Sequence, residues 1–155
     1  MGTLPTTTPK ALRAAFKLLV EAITPTSEIY SDEHWNAVED DDPTGSDIRS
    51  FRVLTGIDET DPDGVHDGSG YETIVPLIIR TSYGGVVDND LTDIVSQDRK
   101  DLWTAFHPSP GGLGDNVSGL VSVGLITAEP HGDPFEESDL VVDFITEIHY
   151  KADQS

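Results

Sequence analysis

The chain has 155 residues, no cysteine, and 29 acids against nine Lys and Arg, for a formal charge of −20. That length suits a single domain over residues 1–155, able to bury roughly two-thirds of its unfolded surface. The absence of cysteine excludes disulfides, thiolate zinc sites and cysteine nucleophiles, and the charge argues strongly against a basic grip on nucleic acid.

No apolar run approaches the ~20 residues of a membrane span. The opening MGTLPTTTPK lacks the basic-then-apolar pattern of a signal peptide, so cytoplasmic synthesis is expected. The stretch TPKALRAAFKLLVEAI predicts a helix, with Thr8 as N-cap, Pro9 at the first helical position and Leu12, Phe16, Leu19, Val20 and Ile23 on one face. Thr24-Pro25 stops it. The acidic stretch that follows, TSEIYSDEHWNAVEDDDPTGSD, has no clean period and reads as a long connection, with a short strand at 28–30 or a helical turn near Trp35.

DIRSFRVLTGI alternates Arg49, Phe51 and Val53 against Ile48, Ser50, Arg52 and Leu54, a strand pattern. GYETIVPLIIRTSYGG is a second strand, in which Pro76 cannot donate to a ladder and predicts an edge or a bulge. DNDLTDIVSQDRKDLWTAF predicts a second helix with Leu91, Ile94, Val95, Leu102, Ala105 and Phe106 on its apolar face, ended by His107-Pro108. A glycine-rich loop leads to the strand LVSVGLITAEP, with Val121, Val123 and Leu125 on one side. After the acidic turn HGDPFEESD, the strand LVVDFITEIHYK alternates Leu140, Val142, Phe144, Ile148 and Tyr150 with Asp143, Glu147 and His149. The expected class is α+β, order α-β-β-α-β-β, an antiparallel sheet covered on one face by two helices.

The chemical candidates are few. Between the first two strands, DETDPDGVHDGSG gathers Asp58, Glu59, Asp61, Asp63, His66 and Asp67 on a long acidic loop, 58–70. Counted from Glu59 its opening imitates a calcium loop, but position twelve is Gly70 where a bidentate Glu should close the shell. The loop is expected to contact a partner or line a lumen, and no metal or other cofactor is expected. The five histidines, His34, His66, His107, His131 and His149, are never paired at i+3 or i+4. No nucleophile elbow or phosphate-binding glycine loop occurs, so no catalytic residue is expected. A competing reading of the acid surplus is solubility in a high-salt host.

The order of elements, together with a Tyr-containing turn before a helix of the form D-R-x-x-L-x-x-x-F, here Asp98, Arg99, Leu102 and Phe106, resembles the tail terminator, or tail-completion, proteins of tailed bacteriophages. The resemblance implies a non-enzymatic virion protein at the tail–neck junction. It would form a six-membered ring on the head-proximal end of the tail tube, end tube polymerisation and meet a neck or connector protein, while DNA passes through the lumen without specific binding. Trp103, Arg99 and Arg80 are the candidate subunit contacts. A neck or head–tail joining protein is the alternative, and more remote ones are a calcium-binding interaction module and a small hydrolase with a dispersed acid/His site.

Overall fold

Thr8 opens the first helix because its backbone is extended and its Oγ1 accepts from the Ala11 N–H at 3.2 Å, while Pro9 supplies a preset φ where no donor is needed. The helix, α1 (Pro9–Glu21), buries Leu12, Phe16 and Val20. This is a computed structural model that describes residues 6–38, 48–60, 66–67, 70–86, 88–107, 119–131 and 141–153. The predicted loop glycines 111–114, the turn 132–140 and the acids Asp61 and Asp63 lie outside the described residues.

After α1 come β1 (Asn36–Ala37), β2 (Ile48–Thr55), β3 (Glu59–Thr60), β4 (His66–Asp67), β5 (Gly70–Tyr83), α2 (Asp88–Phe106), β6 (Leu120–Val123), β7 (Thr127–His131) and β8 (Val141–Asp153). The class is α+β, with two helices and one mixed sheet in the order β1-β2-β5-β8-β6, to which β3 and β4 add beside β5 and β7 beside β8. Mixed, because β1 runs parallel to β2 while the other pairings are antiparallel. Residues 28–30, where a short strand is one expectation, form bends instead, and the short strand of this connection is Asn36–Ala37, directly after Trp35.

The long strands β5 and β8 pair without interruption from Gly70↔Asp153 to Ser82↔Val141. Period-two alternation then puts Val75, Leu77 and Ile79 beside Ile148, Thr146 and Phe144 on one face, where all six are buried. Leu12, Phe16 and Val20 of α1 and Ile94, Leu102 and Phe106 of α2 share that core, and the Phe16 and Phe106 rings meet edge to face at 4.8 Å.

Of the two expectations for Pro76, an edge and a bulge, the structure shows an irregular ladder and not an edge. The proline lies in a strand paired on both sides, opposite Glu147 on β8, and its carbonyl accepts from Gly56 N–H at 2.9 Å. Having no N–H to return, it ends the β2 ladder after Thr55↔Leu77, and pairing resumes one register away at Glu59↔Ile74. The segment 58–70, expected as one long loop, is consequently pinned twice against β5, at Glu59–Thr60 and at His66–Asp67.

On the far side of β8, the single predicted strand LVSVGLITAEP divides into β6 and β7. A bulge between Leu120 and Ser122 and a break at 124–126 turn Ile126 inward and leave Val121 and Leu125 exposed, so the three residues placed on one side do not share an environment. Gly119, just before β6, has φ +78°, and a Cβ there would stand 2.8 Å from the Thr6 carbonyl carbon and the Thr7 nitrogen. Thr7 N–H in turn donates to Lys151 O, and Lys151 N–H to Gly119 O, tying the N-terminal segment to the end of β8. Gly119→Ala is expected to lose about 1–3 kcal/mol through backbone strain and the clash, read as a lower urea midpoint with an unchanged slope; an unchanged midpoint would show that the tie is dispensable.

Candidate functional site

By parity Arg49 belongs on the apolar side of its strand with Phe51, and burying a guanidinium demands partners for it. The β2–β5 register slips between Ile48↔Tyr83 and Phe51↔Thr81, an extra residue on β2, and Arg49 takes φ +62° within that bulge. Its fully buried side chain donates from Nε and Nη2 to the two carboxylate oxygens of Asp98 on α2, each at 2.9 Å. Nη1 donates to the carbonyls of Tyr30 (2.6 Å) and Glu33 (2.7 Å), and Tyr30 itself has φ +55°. Asp98 also accepts from the Tyr83 hydroxyl at 2.6 Å. One planar guanidinium thus fastens a strand, a helix and the chain that follows α1.

A second acid on the same helix, Asp101, holds the start of that connection by accepting from Thr26 N–H at 3.0 Å and Thr26 Oγ1 at 2.5 Å. Trp35, further along, is buried edge to face with Phe51 and Phe144. Sequence reasoning placed Asp98 in a motif without a role and did not single out Asp101. The signal was available: Asp98 stands four residues after Ile94 and four before Leu102, on the apolar stripe itself.

Burial pushes the Asp98 carboxyl above its ordinary value, with the bonds from Arg49 and Tyr83 pulling part of the way back. Burial, reinforced by the Asp98 charge, also raises the Tyr83 phenol well above its usual value. This network is a closed structural node, and the groups that reach solvent lie on the other side of α2.

There Leu91, Val95, Arg99 and Trp103 follow one another at intervals of four residues, forming a single line along the helix that faces β7. A recess of about 360 Å3 lies between Leu91, Val95, Pro130 and Val142, and a smaller one of about 180 Å3 is lined by Trp103, Leu125, Ile126 and the side chains of Arg99 and Lys100. Trp103 is 39% exposed and Leu125 78% exposed. The indole stacks on His107 with ring centroids 3.6 Å apart, and His107 is held in turn against the carbonyls of Trp103 (3.1 Å) and Val123 (2.9 Å).

The structure brings Arg99 and Trp103 together but not Arg80, which lies on the opposite face of the sheet in a two-bond pair with Asp143 (2.9 and 3.2 Å). Of the acidic segment, Asp58 accepts from the Tyr150 hydroxyl at 2.8 Å and Glu59 is exposed. His66 and Asp67 are placed by β4. Among the described residues no group of three or more His, Asp or Glu could hold a metal, and no helix is long and apolar enough to cross a membrane. His149 lies 3.7 Å from Glu147. The chain matches no protein-family model and no curated protein.

Arg49→Met is expected to cost about 3–5 kcal/mol because it strands a buried carboxylate, and Arg49→Met with Asp98→Leu to recover most of that loss; equal losses in the single and double variants by urea unfolding would contradict this. The pH dependence has a definite sign. Since the folded Asp98 value is raised, its contribution is complete below the ordinary carboxylate range near ~4 and fades as pH rises through the raised value. Relief of the −20 charge acts in the same direction. The urea midpoint is expected to be higher at pH 5 than at pH 8, with a flatter profile in Asp98→Asn; a midpoint that falls on acidification would refute it.

Proposed function

We propose that this chain is a structural virion protein of a tailed bacteriophage, forming a ring that caps the head-proximal end of the tail tube and joins tail to neck. The observation that carries this reading is the division of labour within the motif that suggested it. Tyr83 and Asp98 are hydrogen-bonded to each other in the interior, Leu102 and Phe106 are core residues, and Arg99 alone points to solvent beside an exposed tryptophan. A motif whose buried members serve architecture, with one outward cation, suits a subunit whose task is to hold shape and make contacts.

In this reading β2, β5, β8 and the β6–β7 edge form the αββαββ plan, the helices cover one face of their sheet, and β1, β3 and β4 are additions at one border. The exposed surfaces also favour association: Leu18, Ile57, Val121 and Leu125 are all more than half exposed. A ring built of heterologous contacts closes such surfaces without leaving free ends. Subunits at −20 repel one another, so assembly requires salt or the tube as template. The acid surplus further gives a lumen that lets DNA slide, and no salt-sensitive retention of duplex DNA is expected.

Light scattering across a salt series, without and with tail tubes, tests the reading. The expected result is a shift from monomer to a single species of about six subunits, seen by electron microscopy as one ring at the head-proximal tube end. A ring adjoining the portal instead supports the neck alternative, and a monomer under all these conditions sinks both.

A further inference from the structure

The most exposed large apolar side chain on the described surface is Ile57, 90% accessible. It stands in the short turn between β2 and β3, and that turn is fixed from both sides. Gly56 N–H donates to Pro76 O at 2.9 Å and Asp58 accepts from the Tyr150 hydroxyl at 2.8 Å. An isoleucine presented on a tethered turn has little left to lose in ordering when it binds. Acids follow it directly, Asp58 and Glu59.

Across the sheet, beyond β5 and β8, lies a recess of complementary character. Trp103, Leu125 and Ile126 give it apolar walls, and Arg99 and Lys100 line it with cations. Neither cation forms an ion pair among the described residues. At about 180 Å3 the recess is large enough for a branched four-carbon side chain. Apolar tip meets apolar walls, and the acids beside the tip meet the cations beside the walls.

We propose that the occupant of this recess is Ile57 of a second copy of the chain. The inference rests on the ring reading for the identity of the partner and adds the contact that sets its register. Because tip and recess occupy opposite borders of one sheet, each copy offers one of each. The contact is head-to-tail and repeats around an axis until it closes. The Glu59–Arg99 and Asp58–Lys100 attractions act at contact distance, whereas the repulsion between whole subunits acts over longer range. Salt near ~0.15 M, with a screening length of about 8 Å, suppresses the second more than the first. Displacement of water from beside Trp103 and the charge match together define which neighbour fits.

The cysteine-free sequence permits a direct test. Ile57→Cys with Leu125→Cys, oxidised at about 0.5 M salt, where the screening length is only a few ångströms, is expected to give a ladder of covalent oligomers ending in a closed species. Either single variant should give no ladder. Ile57→Asp, at a position too exposed to disturb folding, is expected to lower the assembled fraction at least tenfold. Glu59→Lys and Arg99→Glu should each weaken assembly alone and restore it when the two variant chains are mixed, a rescue that loss of folding could not produce. If the unmodified chain assembles into rings while Ile57→Asp assembles equally well and no ladder forms, the contact is overturned and the ring reading stands. If the unmodified chain stays monomeric in salt and on tubes, both fall.

Discussion

A guanidinium withdrawn from water must find hydrogen bonds in every direction, and in this fold Arg49 finds four, in a backbone conformation that its own side chain disfavours. Much else follows from that constraint. The bulge at Arg49 shifts the β2–β5 register, and Tyr83, opposite Ile48, reaches the same carboxylate. The carbonyls of Tyr30 and Glu33 are drawn to Nη1, which fixes the descent of the chain from α1 toward β1 and allows Trp35 to close over Phe51. The pair contributes little net energy over an apolar substitute, since desolvation offsets most of the attraction. Its effect is geometric: it admits one placement of α2 relative to β2.

A second constraint operates from Pro76. A proline within a doubly paired strand deletes one donor, and the neighbouring strand responds by ending. The resulting break lets the chain leave the sheet at Gly56–Asp58 and return as β3, which is why an apolar side chain stands in solvent at Ile57. The opposite border of the sheet is interrupted at 124–126 in a comparable way, exposing Leu125. Both borders are thus irregular, which blunts indiscriminate edge-to-edge pairing and leaves side chains to decide what docks there.

The acids of this chain fall into two populations. Asp98, Asp101 and Asp143 are buried and bonded, and Asp58 is tied to Tyr150, so these belong to the architecture. Others, Glu59 among them, are exposed and supply the field that governs solubility and encounter. Counting charges cannot separate the two. On α2 the distinction is positional, because Asp98 and Asp101 are buried against Arg49 and Thr26 while Arg99 and Lys100, one step around the helix, are exposed.

Both helices, α2 to its end residues, the three long strands and most of the core were legible from the residues alone, because those depend on local periodicity and capping that any folded context preserves. Arg99 and Trp103, candidate subunit contacts from the sequence, are both exposed. That Arg49 and Asp98 meet, that Pro76 sits within the sheet, that segment 58–70 is pinned to β5 at Glu59–Thr60 and His66–Asp67, and that Arg80 pairs with Asp143 emerges in three dimensions alone. Each of these joins residues far apart in the chain or hangs on a one-residue slip of register. A slip reverses which face a side chain occupies without changing any local pattern that a reader of the sequence could weigh.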